Sequence, residues 1–240
     1  MGDLSIIARR LSDKYVQYGF CGGSGFFNNV GFRIYSWYYK RKMEEFPDYD
    51  DLIEYLFSLG ETDQIGLPGS ENGGQKFFYT HHLRNTRFCV GTSERDIFSK
   101  IMFIEHGYFF DSDENWYYIE PWPFCIKIPF ELVANNLNSE NSEEKFLKKL
   151  NKKFMTYILR DYKNEKFEKL IKDNNLDKEQ ILKRILKESF PLRCFYENYE
   201  QLFEFFDDWI VVKADENQKK IDRFIVREKT DVHTETIFWE

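Results

Sequence analysis

The hydrophobic period of the chain changes near residue 138, and this change constrains the fold more than any other feature. Before it, short aromatic runs alternate with polar turns, as in GYFFDSDENWYYIEP at 107–121. After it, apolar residues recur at helical spacing, among them Phe146, Leu150 and Phe154. Because side chains repeat every two residues along a strand and about every 3.6 along a helix, the two halves belong to different kinds of structure. The sequence therefore predicts an α+β protein.

The change of period divides the chain into three predicted regions. They are a mixed α+β region at 1–138, a Lys-rich helical lobe at 139–208, and C-terminal strands at 209–240. The lobe has three helical groups before Pro191, with Asp177 as an N-cap and Asn174-Asn175 as a break. WIVVK and RFIVRE then predict two strands around a polar turn. Segregated helices and hairpin-like strands favour a mixed or antiparallel sheet, which the C-terminal strands are expected to rejoin.

The N-terminal region is predicted to mix helices and strands. Helical patterns cover 5–17, 34–46, 48–60 and 93–106. Strand patterns cover 75–80, 86–91, both halves of the 107–121 hairpin, and FCIKI. Gly22, Gly23 and Gly25 lack the Lys-Ser or Lys-Thr pair that closes a phosphate loop. They therefore predict a turn or hairpin.

The segment KFFYTHHLRNTRFCVG at 76–91 holds two of the four histidines. His81 and His82 are adjacent, and neighbouring side chains on a strand point to opposite faces, so the pair does not predict a metal site. Guanidinium groups bind carboxylates and phosphates bidentately. Arg84 and Arg87, together with His82, are therefore predicted to contact a partner or an anion. The alternative is a structural turn whose polar groups are satisfied.

The other reactive side chains give no catalytic signature. The four cysteines, Cys21, Cys89, Cys125 and Cys194, are scattered without a CxxC pair and are expected to be reduced, mostly buried thiols. IEHGYFFDSDE at 104–114 offers a histidine and carboxylates, but its aspartates lie in a predicted turn, which favours Asp in any case. Metalloprotease, kinase, EF-hand and nucleotide-binding motifs are missing from the sequence. We expect no metal and no cofactor, and the sequence favours a non-enzymatic protein over an enzyme.

Charge is polarised along the chain. Residues 142–188 carry 14 basic and 9 acidic side chains, or +5, and the net charge of -7 then leaves -12 for the rest. Acidic residues are interleaved with the lysines, so the charged face of these helices is expected to be solvated. Docking onto an acidic protein is the second interpretation, and direct nucleic-acid binding is disfavoured. The apolar runs are much shorter than the roughly 20 residues of a membrane helix, and an export signal is missing. A cytoplasmic location is expected.

These features favour a binding protein over an enzyme. The chain has 25 Phe and 15 Tyr but only three Ala, which indicates an AT-rich genome of the kind common in phages and plasmids. We expect a non-enzymatic inhibitory protein of such an element, whose protein or nucleoprotein partner is a host defence machine that acts on nucleic acid. Tyr49, Trp116 and Trp122 are predicted to anchor this interface, since Trp and Tyr dominate interface hot spots. The alternative is an enzyme that acts on a nucleotide or nucleic acid through residues 81–87.

Overall fold

The computed structural model of this chain describes residues 4–12, 15–21, 25–59, 65–68, 88–89, 104–120, 126–137, 142–187 and 210–226. The strands are β1 (Leu4–Ser12), β2 (Tyr15–Cys21), β3 (Phe88–Cys89), β4 (Ile104–Phe110), β5 (Trp116–Glu120), β6 (Ile126–Pro129), β7 (Ile210–Ala214) and β8 (Ile221–Val226). The helices are α1 (27–43), α2 (Tyr49–Ser58), α3 (Phe130–Asn136), α4 (Ser142–Arg160), α5 (Glu165–Asp173) and α6 (Lys178–Lys187). Within these ranges, no helix is long and apolar enough to cross a membrane.

The strands form one mixed sheet in the order β3-β2-β1-β4-β5-β6-β7-β8. The β1–β4 and β6–β7 pairs are parallel, and the other neighbours are antiparallel. The predicted hairpin at 107–121 is confirmed, since β4 and β5 pair across a turn at 111–115. The predicted C-terminal hairpin is confirmed as β7 and β8, which join the sheet through β6. The predicted α+β class with a mixed sheet is correct.

The sheet is buried on both faces. Alternate residues of the same strands belong to two apolar clusters, as Tyr108 and Phe109 do on β4 and Tyr118 and Ile119 do on β5. This separation follows from the two-residue period of a strand. We call the side that carries Tyr108 and Tyr118 the helical face, because residues from all six helices belong to its cluster.

Helices α4, α5 and α6 confirm the three predicted helices of the Lys-rich region. Asn164 accepts hydrogen bonds from the first backbone N–H groups of α5, and Asp177 does the same for α6. Asn175 has a φ of 50°, the left-handed conformation that often ends a helix. The rings of Phe154 on α4 and Phe224 on β8 lie 5.4 Å apart, so the helices share a core with the sheet. The division of the chain at residues 138 and 208 stays a prediction.

Two predicted helices are wrong where strands occupy their residues. β1 and the start of β2 replace the helix at 5–17, and residues 104–106 belong to β4 rather than to the helix at 93–106. Strands buried on both faces carry consecutive rather than alternating apolar residues, as in Ile6, Ile7 and Ala8. Such runs are easily mistaken for helices.

Helix α1 begins at residue 27 rather than at 34, and α3 was not predicted. The first and third stretches of α1, Phe27–Gly31 and Tyr35–Tyr39, are π-helical. Of the strands predicted at 75–80 and 86–91, only β3 lies within the described residues. Gly22 and Gly23 lie outside them, as do a fourth helix that the sequence predicts at 196–208, after Pro191, and a further strand that it predicts in TETIFW.

Candidate functional site

Strand pairing brings reactive side chains from four strands together on the helical face. Ser5 on β1 pairs with Cys21 on β2 and with His106 on β4. On β5, Glu120 follows Ile119, which pairs with Gly107, so Glu120 lies beside His106. Residues in register on neighbouring strands share a face. The sheet thus places a thiol, a hydroxyl, an imidazole and a carboxyl group in one row.

Hydrogen bonds extend this row to helix α4. His106 Nδ1 lies 2.8 Å from the Tyr118 hydroxyl and 3.5 Å from Glu143 Oε1. The Tyr118 hydroxyl donates to Glu120 Oε2 over 3.4 Å. Glu143, in the first turn of α4, accepts a hydrogen bond from the Phe27 backbone N–H at 3.1 Å. We call Ser5, Cys21, His106, Tyr118, Glu120 and Glu143 the polar cluster.

The pKa shifts in the polar cluster favour the protonated forms of Glu120, Tyr118 and Cys21 at neutral pH. Burial, followed by the nearby Glu143 and Glu105 carboxylates, raises the pKa of Glu120 to about 8. Burial, followed by Glu120, raises the pKa of Tyr118 well above its ordinary value. Burial also raises the pKa of Cys21, against a smaller opposing effect of the Ser5 hydroxyl. Cys21 is therefore a thiol rather than a thiolate nucleophile, in agreement with its predicted burial.

The polar cluster is closed to large molecules. His106 is 6% exposed, and the ring of Phe26 lies 5.2 Å from the imidazole ring. The cluster can pass a proton along His106, Tyr118 and Glu120. His106 and Tyr118 are buried from a macromolecular substrate in this conformation, whereas Glu120 is partly exposed. Its geometry supports a role in holding the sheet to α4 and to the start of α1.

A second feature is a groove of about 670 Å³ between α4 and β8. Its cationic lining consists of Lys145, Lys148, Lys149, Lys152, Lys153 and Arg223. Tyr157, Ile221 and Phe224 supply apolar surface, and Asp161 and Asp222 are its acidic members. We call this surface the basic groove. With six cations and two carboxylates, it is suited to an anionic ligand.

A third feature has the opposite charge. The end of α1, helix α2 and the β4–β5 turn carry eight exposed carboxylates: Glu44, Glu45, Asp48, Asp50, Asp51, Glu54, Asp113 and Glu114. Lys42 Nζ binds Glu114 Oε2 at 3.1 Å and so ties the turn to α1. Arg41, Phe46, Asp48, Asp51, Leu52, Leu67 and Pro68 line a pocket of about 280 Å³ within this region. We call these carboxylates and this pocket the acidic corner.

Two of the aromatic anchors predicted from the sequence, Tyr49 and Trp116, are buried in the fold. Trp116 is 1% exposed and Tyr49 is 9% exposed, and the Trp116 indole N–H donates to the Tyr49 hydroxyl at 3.1 Å. Their predicted role as surface anchors is therefore corrected to a role in the core. The exposed large aromatic side chains of the described residues are Phe26 and Phe32.

Four further predicted site residues, Arg84, Arg87, His82 and Trp122, lie outside the described residues, so their partner contacts stay predictions. Within the described ranges, no group of three or more His, Cys, Asp or Glu side chains is arranged to hold a metal ion. Comparisons with protein-family models, with curated proteins and with solved structures gave no match to this chain.

Sequence reasoning missed the polar cluster and the two charged surfaces. Glu143 lies beyond the change of period, and Ser5 falls in a predicted helix, so local patterns do not place either residue beside His106. The sequence contains a partial signal for the basic groove, because α4 has no acidic residue between Lys145 and Arg160. Averaging charge over the whole Lys-rich region concealed it.

Proposed function

We propose that this chain is a non-enzymatic binding and inhibitory protein that blocks a nucleic-acid-acting machine by occupying its surface. The observation that carries the proposal is the acidic corner. Its pocket has Asp48 and Asp51 as acidic members and Phe46, Leu52 and Leu67 as apolar lining. Lys and Arg side chains combine an apolar stem with a charged head, so a pocket of this composition fits one of them from a partner.

The carboxylates of the acidic corner leave a net negative surface. Of the nearby cations, Lys42 is paired with Glu114, the Arg41 guanidinium lies 4.9 Å from the centre of the Phe46 ring, and the Lys40 ammonium lies 5.2 Å from that of Tyr35. Met43 is 66% exposed and adds an apolar contact at the same end of α1. A partner that holds nucleic acid on a positively charged surface attracts these carboxylates electrostatically, which raises the association rate. Once bound, this protein excludes the normal nucleic-acid substrate from that surface.

The partner class and the origin are parts of the same proposal. A protein with an acidic surface suits a partner that holds nucleic acid on a positively charged surface. Proteins and nucleoproteins that act on nucleic acid have such surfaces, and a host defence nuclease belongs to this class. The composition, rich in Phe and Tyr and poor in Ala, is typical of an AT-rich genome and supports an origin in a phage or another mobile element.

The test compares the double variant Asp48→Asn/Asp51→Asn with a matched control, Glu165→Gln/Asp173→Asn, which removes the same charge from exposed sites on α5. Asp48 makes no side-chain capping hydrogen bond, so its replacement leaves the start of α2 intact. Wild-type protein and control should inhibit a nuclease purified from a host extract at one protein per target, less strongly as salt rises. The Asp48/Asp51 variant should bind at least 10-fold more weakly.

Inhibition far below one protein per target, or a covalent change that persists on the target, contradicts this proposal. Equal loss of inhibition in variant and control also contradicts it, because the effect then follows total charge rather than the acidic corner.

An enzyme that acts on a nucleotide or nucleic acid is the second candidate function. The sequence places its site at residues 81–87, outside the described part of the chain. The specific observation in its favour is the polar cluster, because shifted pKa values of neighbouring acids are typical of catalytic sites. Multiple turnover of a nucleotide that is lost in His106→Gln, with the fold retained by circular dichroism, supports the enzyme.

A further inference from the structure

We propose that the basic groove binds the phosphate backbone of single-stranded nucleic acid. This surface is separate from the acidic corner, and the inference goes beyond the proposed function. It departs from the expectation of the sequence analysis that direct nucleic-acid binding is disfavoured.

The charge distribution on α4 removes the reason for that expectation. From Lys145 to Arg160 the helix carries five lysines, one arginine and no acidic residue. The acidic residues that the sequence interleaves with lysines lie before this stretch or after it. Glu143 belongs to the polar cluster, and Glu144 pairs with Lys148 at 2.5 Å. The groove side of α4 is therefore an uninterrupted cationic surface.

Three lysines of the groove are available to a ligand. Among the described residues, the side-chain ammonium groups of Lys145, Lys149 and Lys152 have no ion-pair or hydrogen-bond partner. By contrast, Lys148 binds Glu144, and Lys153 donates to the Ile221 carbonyl oxygen at 3.3 Å. The three free lysines are four and three residues apart, so they lie along one side of α4. At 1.5 Å per residue they span about 10 Å, one step per helical turn. A row of point charges with this repeat suits a chain of phosphates.

The apolar lining of the groove favours a single strand over a duplex. Tyr157 and Ile221 are partly exposed and supply the apolar surface that a ligand can contact. The buried Phe224 ring lies 5.7 Å from the Tyr157 ring and supports it from the core side. In a duplex the faces of the bases are stacked on one another, and only their edges are exposed in the grooves, so no base can stack on Tyr157. An unpaired strand can place a base against the Tyr157 ring while its phosphates contact the lysines, a combination typical of proteins that bind single strands.

The cations of the groove suit a chain of phosphates. Five of the six are lysines, which bind phosphate as point charges, and Arg223 can bind phosphate or carboxylate with paired N–H groups. Asp161 and Asp222 leave the groove with a net positive charge, and Asp222 lies 3.9 Å from Arg223. An acidic protein segment is therefore treated as the competing outcome of the test.

The experiment measures binding of the full chain to a fluorescently labelled oligothymidylate by anisotropy, over a series of salt concentrations. Each neutralised phosphate contributes about 0.7 to the slope of log K against log salt for a single strand. Three lysines therefore predict a slope of about -2 or steeper. In the triple variant Lys145→Ala/Lys149→Ala/Lys152→Ala we expect at least a 10-fold weaker affinity at low salt and a slope shallower by about 2.

The matched control is Lys166→Ala/Lys169→Ala/Lys172→Ala, which removes three exposed lysines from α5 and changes net charge equally. It should bind within about twofold of wild type, because screening limits the effect of distant charges. Equal weakening in both variants, or no binding of wild type at low salt, overturns the proposal.

Tighter binding to a duplex or to an oligoglutamate of equal charge also overturns it, and the second result assigns the groove to an acidic protein instead. Failure here leaves inhibition through the acidic corner unchanged, because the Asp48/Asp51 variant keeps the groove intact.

Discussion

Protonation of Glu120 links the polar cluster to the pH dependence of stability. Its pKa rises from an ordinary 4.5 to about 8 in the fold, so the folded protein holds a proton that the unfolded chain releases above pH 4.5. The contribution of Glu120 to the free energy of unfolding should therefore be fully present below pH 4.5 and fall by up to about 1.4 kcal/mol for each pH unit until about pH 8. Urea unfolding of wild type and Glu120→Gln at pH 5 and pH 8 should show this decline only in wild type. A parallel decline in the variant assigns the pH dependence to other groups.

Trp116 and Tyr49 lead to a second prediction at the scale of single residues. Truncation of a buried Trp leaves a large cavity, so Trp116→Ala should lower the free energy of unfolding by about 3–5 kcal/mol. Tyr49→Phe removes only the acceptor of the indole N–H and should cost about 1–2 kcal/mol. Denaturant unfolding measures both values, and Leu11→Ala at an exposed position serves as the control. If Trp116→Ala leaves stability unchanged but abolishes inhibition, Trp116 anchors the partner interface and does not belong to the core.

At the scale of elements, α1 depends on close packing at Gly31. A Cβ atom at this position would lie 2.7 Å from the Phe27 ring and 2.8 Å from the Tyr108 ring. Tyr108 is fully buried and donates from its hydroxyl to the Gly25 carbonyl oxygen at 2.6 Å, so this ring has little freedom to move. Tight packing thus joins the first π-helical stretch of α1 to β4.

Gly31→Ala should consequently destabilise the protein although Ala is the better helix former. Overpacking costs about 1–3 kcal/mol, which exceeds the gain in helix propensity of at most about 1 kcal/mol. Asn28→Ala, at an exposed position of the same helix, should be neutral or slightly stabilising. Thermal unfolding compares the two variants. A higher melting temperature for Gly31→Ala than for wild type contradicts the close contact.

At the scale of the whole molecule, the sheet is joined across three strands by ions on the face opposite the helices. Asp111, at the end of β4, pairs with Lys127 on β6, and its Oδ1 lies 3.4 Å from Arg10 Nε on β1. Burial raises the pKa of Asp111, but Lys127, then hydrogen bonding and Arg10, outweigh it, so the pKa lies below its ordinary value. Because the folded pKa is lowered, the contribution of Asp111 is present above pH 3.8 and is lost as the pH falls through the folded pKa.

Asp111→Asn should therefore destabilise the protein at neutral pH by about 3–5 kcal/mol, because it leaves two largely buried cations without their carboxylate. The variant should also lose less stability than wild type on acidification. Asp113→Asn, at an exposed position of the same turn, is the control and should change stability by less than about 1 kcal/mol. Urea unfolding at pH 7 and pH 3 distinguishes the two. Equal stability of Asp111→Asn and Asp113→Asn contradicts a structural role for the buried ions.

The elements that sequence alone determined are those with a strong local pattern. Helices α4, α5 and α6 follow from sustained apolar recurrence and from Asp177, and the hairpins follow from polar turns between aromatic runs. Each of these signals arises from residues close together in the chain, where propensity, capping and turn chemistry act. The α+β class followed from the same local information.

Tertiary structure decided the identity of β1 and every feature of the candidate sites. The strand β1 is buried on both faces and pairs with β2 and β4, and this long-range burial overrides the helical reading of its apolar run. Pairing between β1 and β4 places His106 beside Ser5, and the packing of α4 adds Glu143. Burial likewise made Trp116 a core residue. Strand order and helix packing depend on contacts between distant segments, so local patterns do not determine which reactive groups meet.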